Sequence, residues 1–246
     1  LLFLNFSGVR EGISTLASRL YDNQPFYNYG SASASFVFTD LDFFEPAKNW
    51  LSYGKLRVSY ATTGKGPIVP YRIDPQFTVA TTTGGGFAYD VFASNRNLKP
   101  EFSRNLEIGG EFQFFKKRIT LDVAYYLINS KDQIVANRLS YGTGGVLKYI
   151  NGGEVENKGI EIQLKATPVR QKNFVWNTTI NFDRNRGIVK KMPADLPLYY
   201  DSDTWLFGNV RSQVSVGTSI TNLVGYNFQR NNAGQLLISP TAGLPL

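Results

Sequence analysis

The chain has 246 residues, 42% of them hydrophobic and 14% aromatic, with a formal net charge of +7 from 26 basic and 19 acidic residues. It contains no Cys, no His and a single Met, which excludes a thiol nucleophile, an imidazole base, a disulfide-dependent fold and an ordinary zinc site. No apolar run reaches the ~18 residues that a membrane-spanning helix needs, a fact that carries no weight against a β-barrel, whose strands are apolar on one side only.

In chain order, residues 1–8 set Leu2, Leu4 and Phe6 against Phe3, Asn5 and Ser7, the period of two that marks a strand. A polar loop is expected over 9–29. Residues 31–39 then place Ala32, Ala34, Phe36 and Phe38 on one face, and 40–53 form a compact connection in which Pro46 is expected to open one helical turn before Trp50. Leu56, Val58 and Tyr60 oppose Lys55, Arg57 and Ser59. An irregular stretch over 62–99 follows, rich in Gly, Pro and Thr and containing Gly84-Gly85-Gly86; loops of that length usually carry function or are disordered.

The clearest pattern begins at residue 105. Leu106, Ile108, Gly110, Phe112 and Phe114 share one face, with Glu107, Gly109, Glu111 and Gln113 on the other. After Phe115-Lys116-Lys117-Arg118 the alternation restarts, with Ile119, Leu121, Val123, Tyr125 and Leu127 against Thr120, Asp122, Ala124 and Tyr126. A second long loop spans 130–157, where Asn157-Lys158-Gly159 is expected to turn or bulge into the next strand. Ile160, Ile162, Leu164 and Ala166 oppose Glu161, Gln163 and Lys165, and a turn over 168–173 leads to a strand from Phe174 to Asp183. A third long segment begins near Arg184.

Connections at 40–54, 115–118 and 168–173 are short; those at 9–29, 62–99, 130–157 and after 184 are long. Successive connections of an up-and-down meander lie at opposite ends, so one end carries tight turns and the other long loops. Outer-membrane barrels show that asymmetry, and a β-sandwich has no reason to keep it. The bases are dispersed, and the densest cluster, Lys116-Lys117-Arg118, reads as a solvated turn; no nucleic-acid partner is expected.

Several segments carry a resemblance. Asn97-Leu98-Lys99-Pro100-Glu101, Leu106-Glu107-Ile108-Gly109, the run from Phe115 to Tyr126, Asp132-Gln133-Ile134 and the run from Asn151 to Glu161 are similar to the late barrel of SusC/RagA-type TonB-dependent transporters. So are Ser31-Ala32-Ser33-Ala34-Ser35-Phe36 near the start, and Gly217 to Tyr226 with Gly234-Gln235 near the end. The resemblance runs over about residues 1–240. It implies an all-β, antiparallel up-and-down meander that is a segment of a transmembrane barrel of about 22 strands. It also implies import of oligosaccharides or peptides across a bacterial outer membrane, energised by a TonB complex through an N-terminal plug and lidded by a SusD-like surface lipoprotein.

With no initiator Met, no signal-peptide layout and a loop-like end at Gly243-Leu244-Pro245-Leu246, residues 1–246 are expected to be a barrel fragment. Plug, TonB-contacting segment and closing strands would lie elsewhere, and there is room for about eight to ten strands. No enzymatic constellation, metal set or cofactor motif is expected. Asp201-Ser202-Asp203 lacks the Gly and distal Glu of a calcium loop, Glu154 and Glu156 would share a strand face rather than flank a cleft, and the triple glycine follows no strand-to-helix pattern.

Two sets of residues are candidates for contact with a solute. Glu107, Glu111, Asp122 and Glu161 lie on the polar face and would point into a barrel lumen, either lining the path or hydrogen-bonded to neighbouring strands or to the plug. Arg72, Tyr89, Arg138, Tyr141 and Trp205 lie in the long loops, where rings beside directional polar groups suit carbohydrate or peptide capture; packing loop against loop is the competing role. Ile108, Phe112, Phe114, Leu121, Val123 and Tyr125 would face the lipid bilayer. The other reading is a soluble, secreted glycan-binding β-sandwich, in which those same rows form an inter-sheet core.

Overall fold

The computed structural model describes all residues except 24, 68, 80–83 and 201–209, and at Tyr141 the backbone alone. Seven long strands form one antiparallel sheet in strict chain order. They are β1 (Leu2–Gly12), β2 (Phe26–Val37), β3 (Leu51–Lys65), β4 (Glu101–Phe114), β5 (Ile119–Lys131), β6 (Glu154–Gln171) and β7 (Phe174–Lys191). The sheet does not close: β1 and β7 are its two edges. It is the up-and-down meander expected from the alternating loop lengths, open at both edges as the resemblance to a barrel segment implies.

The strands run further than the sequence pattern alone indicates. β1 continues to Gly12 and β7 to Lys191, because a neighbour supplies the ladder hydrogen bonds even where alternation lapses into charged residues. Three sequence expectations are corrected. Asn157-Lys158-Gly159 neither turns nor bulges; it sits in regular register within β6, and the β6 irregularities fall at Glu154/Val155 and Ala166/Val169. Gly159 is there because a Cβ would lie 2.5 Å from the Tyr126 hydroxyl and 2.6 Å from the Arg184 carbonyl. The 168–173 connection shrinks to Lys172-Asn173, with Pro168 in the bulge, the position a residue without an N–H tolerates. Pro46 lies inside a 3-10 helix, Asp42–Asn49, rather than opening it.

The turn between β4 and β5 is made by Phe115, Lys116 and Lys117, all left-handed at φ 52, 57 and 69°. At the opposite end, the loop segments after β1, β3 and β5 converge. Leu16, Ile73 and Leu98 form a buried cluster with Ile13, Tyr21, Ile134 and Tyr149 packed on it. The long loop before β6 is not irregular throughout: strands Ile134–Arg138 and Leu147–Asn151 pair with each other, and Phe92–Ala93 adds a third strand.

The large sheet buries little. Its apolar face stays open, with Leu4 61%, Leu56 49%, Ile108 54%, Ile180 56% and Phe182 53% exposed. No second sheet covers that face among the described residues, so the sandwich core is not formed. An apolar surface of this extent far exceeds what a soluble monomer leaves bare.

Candidate functional site

Cross-strand register sorts the sheet into rows. On the apolar face, Phe36, Leu56, Gly110, Val123, Ile162 and Phe182 make one continuous row across six strands. From Ile119 to Leu127 the β5 residues of this face span eight steps, about 27 Å at roughly 3.4 Å per step, which matches a ~25 Å apolar band once the strands tilt. Trp50 stacks on Phe114 at 6.1 Å at the short-turn end of this face, and Tyr60 and Tyr125 mark its other end. Aromatic girdles on outer-membrane barrels occupy such positions.

The opposite face is a charge lattice. Lys55, Glu111, Asp122, Gln163 and Asn181 form one row. The Arg57 guanidinium donates from Nη1 and Nη2 to both Asp122 carboxylate oxygens at 2.9 and 2.8 Å, and from Nε to Glu107 at 3.4 Å. Lys55 Nζ lies 3.6 Å from Glu111. Thus three of the four polar-face carboxylates singled out from sequence are paired with bases on β3: Glu107 and Glu111 from the adjacent strand β4, and Asp122 from β5, one strand further on. Glu161 stands apart: it lies directly opposite Asp183 and has no ion-pair partner among the described residues. It shares with Asp122, Gln163, Asn181 and Asp183 a concavity of about 300 Å³.

The loop candidates divide. Arg72 is a packing element. Its Nη1 donates to Asp90 at 3.0 Å, and its guanidinium lies 4.3 Å from the Phe92 ring centre and 5.9 Å from that of Tyr149. Phe92 and Tyr149 are themselves stacked at 5.0 Å. Tyr89 is different: its ring is 68% exposed and makes a tilted contact with Phe77, its register partner, at 5.2 Å. It lines a cleft of about 280 Å³ with Gln76, Asp90, Phe92 and the Thr143–Gly145 backbone. Arg138 is exposed at the end of its short strand and lies in one row with Leu147 and Phe92. Tyr141 opens the single 3-10 turn, Tyr141–Thr143, that leads to the same cleft. Trp205 lies outside the described residues. The structure therefore groups Tyr89 with Thr143, Gly144 and Gly145 around one mouth, with Arg72 bonded to Asp90 behind it.

A third cavity, about 220 Å³ and largely apolar, was not foreseen from sequence. Val155 and Val189 form its floor, and Met192, Leu196, Tyr199 and Ile220 close it. The available signal was Val155 and Val189 themselves, apolar residues at positions where β6 and β7 otherwise present polar ones. No group of His, Cys, Asp or Glu with metal-ligand geometry occurs among the described residues.

Comparison with known proteins fits this geometry. Residues 7–239 match the family described as TonB dependent receptor-like, beta-barrel. The chain is 31% identical over 187 residues to TonB-dependent receptor P3 of Formosa agariphila, covering 74% of this chain and 19% of that protein. It is 30% identical over 101 residues to TonB-dependent receptor SusC of Bacteroides thetaiotaomicron, covering 41% of this chain and 10% of that one. The solved RagAB peptide transporter superposes with a TM-score of 0.76 at 24% identity, over 88% of this chain and 23% of that chain. The chain spans about a fifth of the length of the curated relatives it matches first, 19% and 21%. Those relatives are receptors and transporters, not enzymes. An open meander, apolar on one face and charged on the other, thus belongs to the TonB-dependent receptor-like β-barrel family, with its resemblance to the SusC/RagA-type members.

Proposed function

We propose that this chain forms part of the barrel wall of an outer-membrane, TonB-dependent transporter that imports oligosaccharides or peptides. The observation that carries the reading is the two-faced sheet. A single meander exposes a continuous aromatic–apolar face and sets the Lys55, Arg57, Glu107, Glu111 and Asp122 ion pairs on the other, with tight turns at one end and interlocked loops at the other. In a bilayer the first face meets lipid and the second meets the aqueous lumen, so neither face is left unsatisfied.

In this reading Arg57, Lys55, Glu107, Glu111 and Asp122 stiffen the lumenal wall, and Glu161 with Asp183 presents negative charge to the solute path or to the plug. The cleft at Tyr89 and 143–145, with Tyr141, Arg138 and Trp205 in the same long-loop set, contributes to capture at the external mouth. Exposed rings suit both sugar faces and peptide side chains. A SusD-like lipoprotein over that mouth and a TonB complex acting through a plug complete the machine; the first is supported by the similarity to SusC and RagAB.

The test is fractionation of the native host with an antibody to this segment, comparing heated and unheated samples on SDS gels. A heat-shifted band in the outer membrane, far larger than the 27.5 kDa of this chain, is expected. A soluble species of that size with no heat shift would overturn the reading. Growth of a deletion strain on single oligosaccharides or on peptides then decides the solute class.

A further inference from the structure

The upper margin of the apolar face, at the long-loop end, is basic. Three successive rows on that face read Ile108–Tyr125–Ile160–Arg184, Leu106–Leu127–Lys158–Arg186 and Arg104–Asn129–Glu156–Ile188. Lys158 and Arg186 are direct cross-strand neighbours, and like charges so placed destabilise a sheet. Arg104, Lys158, Arg184 and Arg186 are all exposed, and none has an ion-pair partner among the described residues. The one carboxylate in these rows, Glu156, is taken by Lys190 at 3.1 Å. On the polar face, by contrast, the bases Lys55 and Arg57 are both matched to carboxylates. Lys165 on the polar face also stands without an ion pair among the described residues, but it stands singly, and the cluster of four uncompensated cations lies on the outward margin.

We infer that Arg104, Lys158, Arg184 and Arg186 form a site for the phosphate groups of an acylated glycolipid in the outer leaflet, its acyl chains lying along Ile160, Tyr125 and Phe182. Strands ~4.8 Å apart and same-face residues ~6.8 Å apart along a strand bring Lys158, Arg184 and Arg186 within reach of one phosphate. Arg104, two strands away, reaches a second. Flexible stems let the cations rise to headgroup level while their methylenes stay on the apolar band. The long-loop end is the external one in outer-membrane barrels, which selects the outer leaflet. The inference rests on the barrel reading above.

The experiment uses the full-length protein, delipidated in detergent, with retention of added bisphosphorylated lipid A read by native mass spectrometry. K158Q/R186Q is compared with K116Q, which removes a cation at the opposite end of the sheet. Retention by the double variant is expected to fall roughly tenfold or more, since each cation near an anionic surface is worth about fivefold. K116Q and wild type are expected to retain the lipid equally, and dephosphorylated lipid A to be held poorly by both. Equal retention by K158Q/R186Q, an equal loss in K116Q, or displacement of the lipid by inorganic phosphate alone would each overturn the site. Heat-shifted mobility is scored on the same samples, so failure of the barrel itself is read separately.

Discussion

Arg57 on β3 reaches across the whole of β4 to bond Asp122 on β5, two hydrogen bonds of 2.8 and 2.9 Å made between strands that are not neighbours. It passes directly over Gly109, its register partner on β4. A Cβ at that position would lie 2.8 Å from the guanidinium carbon. The missing side chain is what lets one cation tie three strands together, because Glu107 on β4 is also within its reach.

Replacing Arg57 by Gln should strand Asp122 and Glu107 on a face where neither has another ion-pair partner among the described residues. The Arg57 and Asp122 side chains are 28% and 37% exposed, so solvent screening limits the coupling to about 1 kcal/mol. A double-mutant cycle of R57Q with D122N, followed by urea unfolding of the full-length protein in vesicles, measures it. A coupling indistinguishable from zero would show that the pair is incidental.

Gly109→Val should destabilise by more than the loss of that coupling alone. The new side chain displaces Arg57 and also meets the Val123 carbonyl, 2.9 Å from the ideal Cβ, which cannot yield without moving β5. About 1–3 kcal/mol is expected, as for other overpacked positions. Adding R57Q to G109V should recover part of it, and the same unfolding assay reads both variants.

Val123→Arg places a charge in the centre of the apolar row and should cost about 2–4 kcal/mol at the bilayer midplane. The expected phenotype is reduced heat-shifted barrel in the outer membrane, without accumulation of a soluble folded form. Gln163→Arg, on the polar face three strands from Lys55, is expected to assemble normally. Equal assembly of both variants would argue that the two faces are not lipid and lumen.

Arg72 and Tyr89 should separate by phenotype. R72A removes the Asp90 ion pair and the cation over Phe92, so limited proteolysis should nick the loops after β3 several-fold faster while the barrel midpoint stays unchanged. Y89A leaves loop packing intact, since that ring is mostly exposed. It is expected to weaken solute uptake several-fold at limiting concentration with no change in nicking. Loss of uptake only in R72A would move the capture site away from Tyr89.

Strand existence and facing were legible in the residues, since alternation such as Leu106 to Phe114 depends on nothing but the two-residue period of an extended chain. So was the end-to-end asymmetry of the loops, which follows from connectivity alone. What the linear pattern could not supply was any fact that depends on which residues become neighbours. Gly159 looked like a turn signal, and only the approach of Tyr126 from β5 shows it to be a clearance for an aromatic ring. Arg72 and Tyr89 were equivalent as loop residues, and only the fold makes one a strut and the other an open ring. The Lys158–Arg186 pair, 28 residues apart in sequence, exists through the β6–β7 register. Period and turn chemistry are local and written in order along the chain; clearance, ion pairing and charge clustering are set by distances that the tertiary structure alone decides.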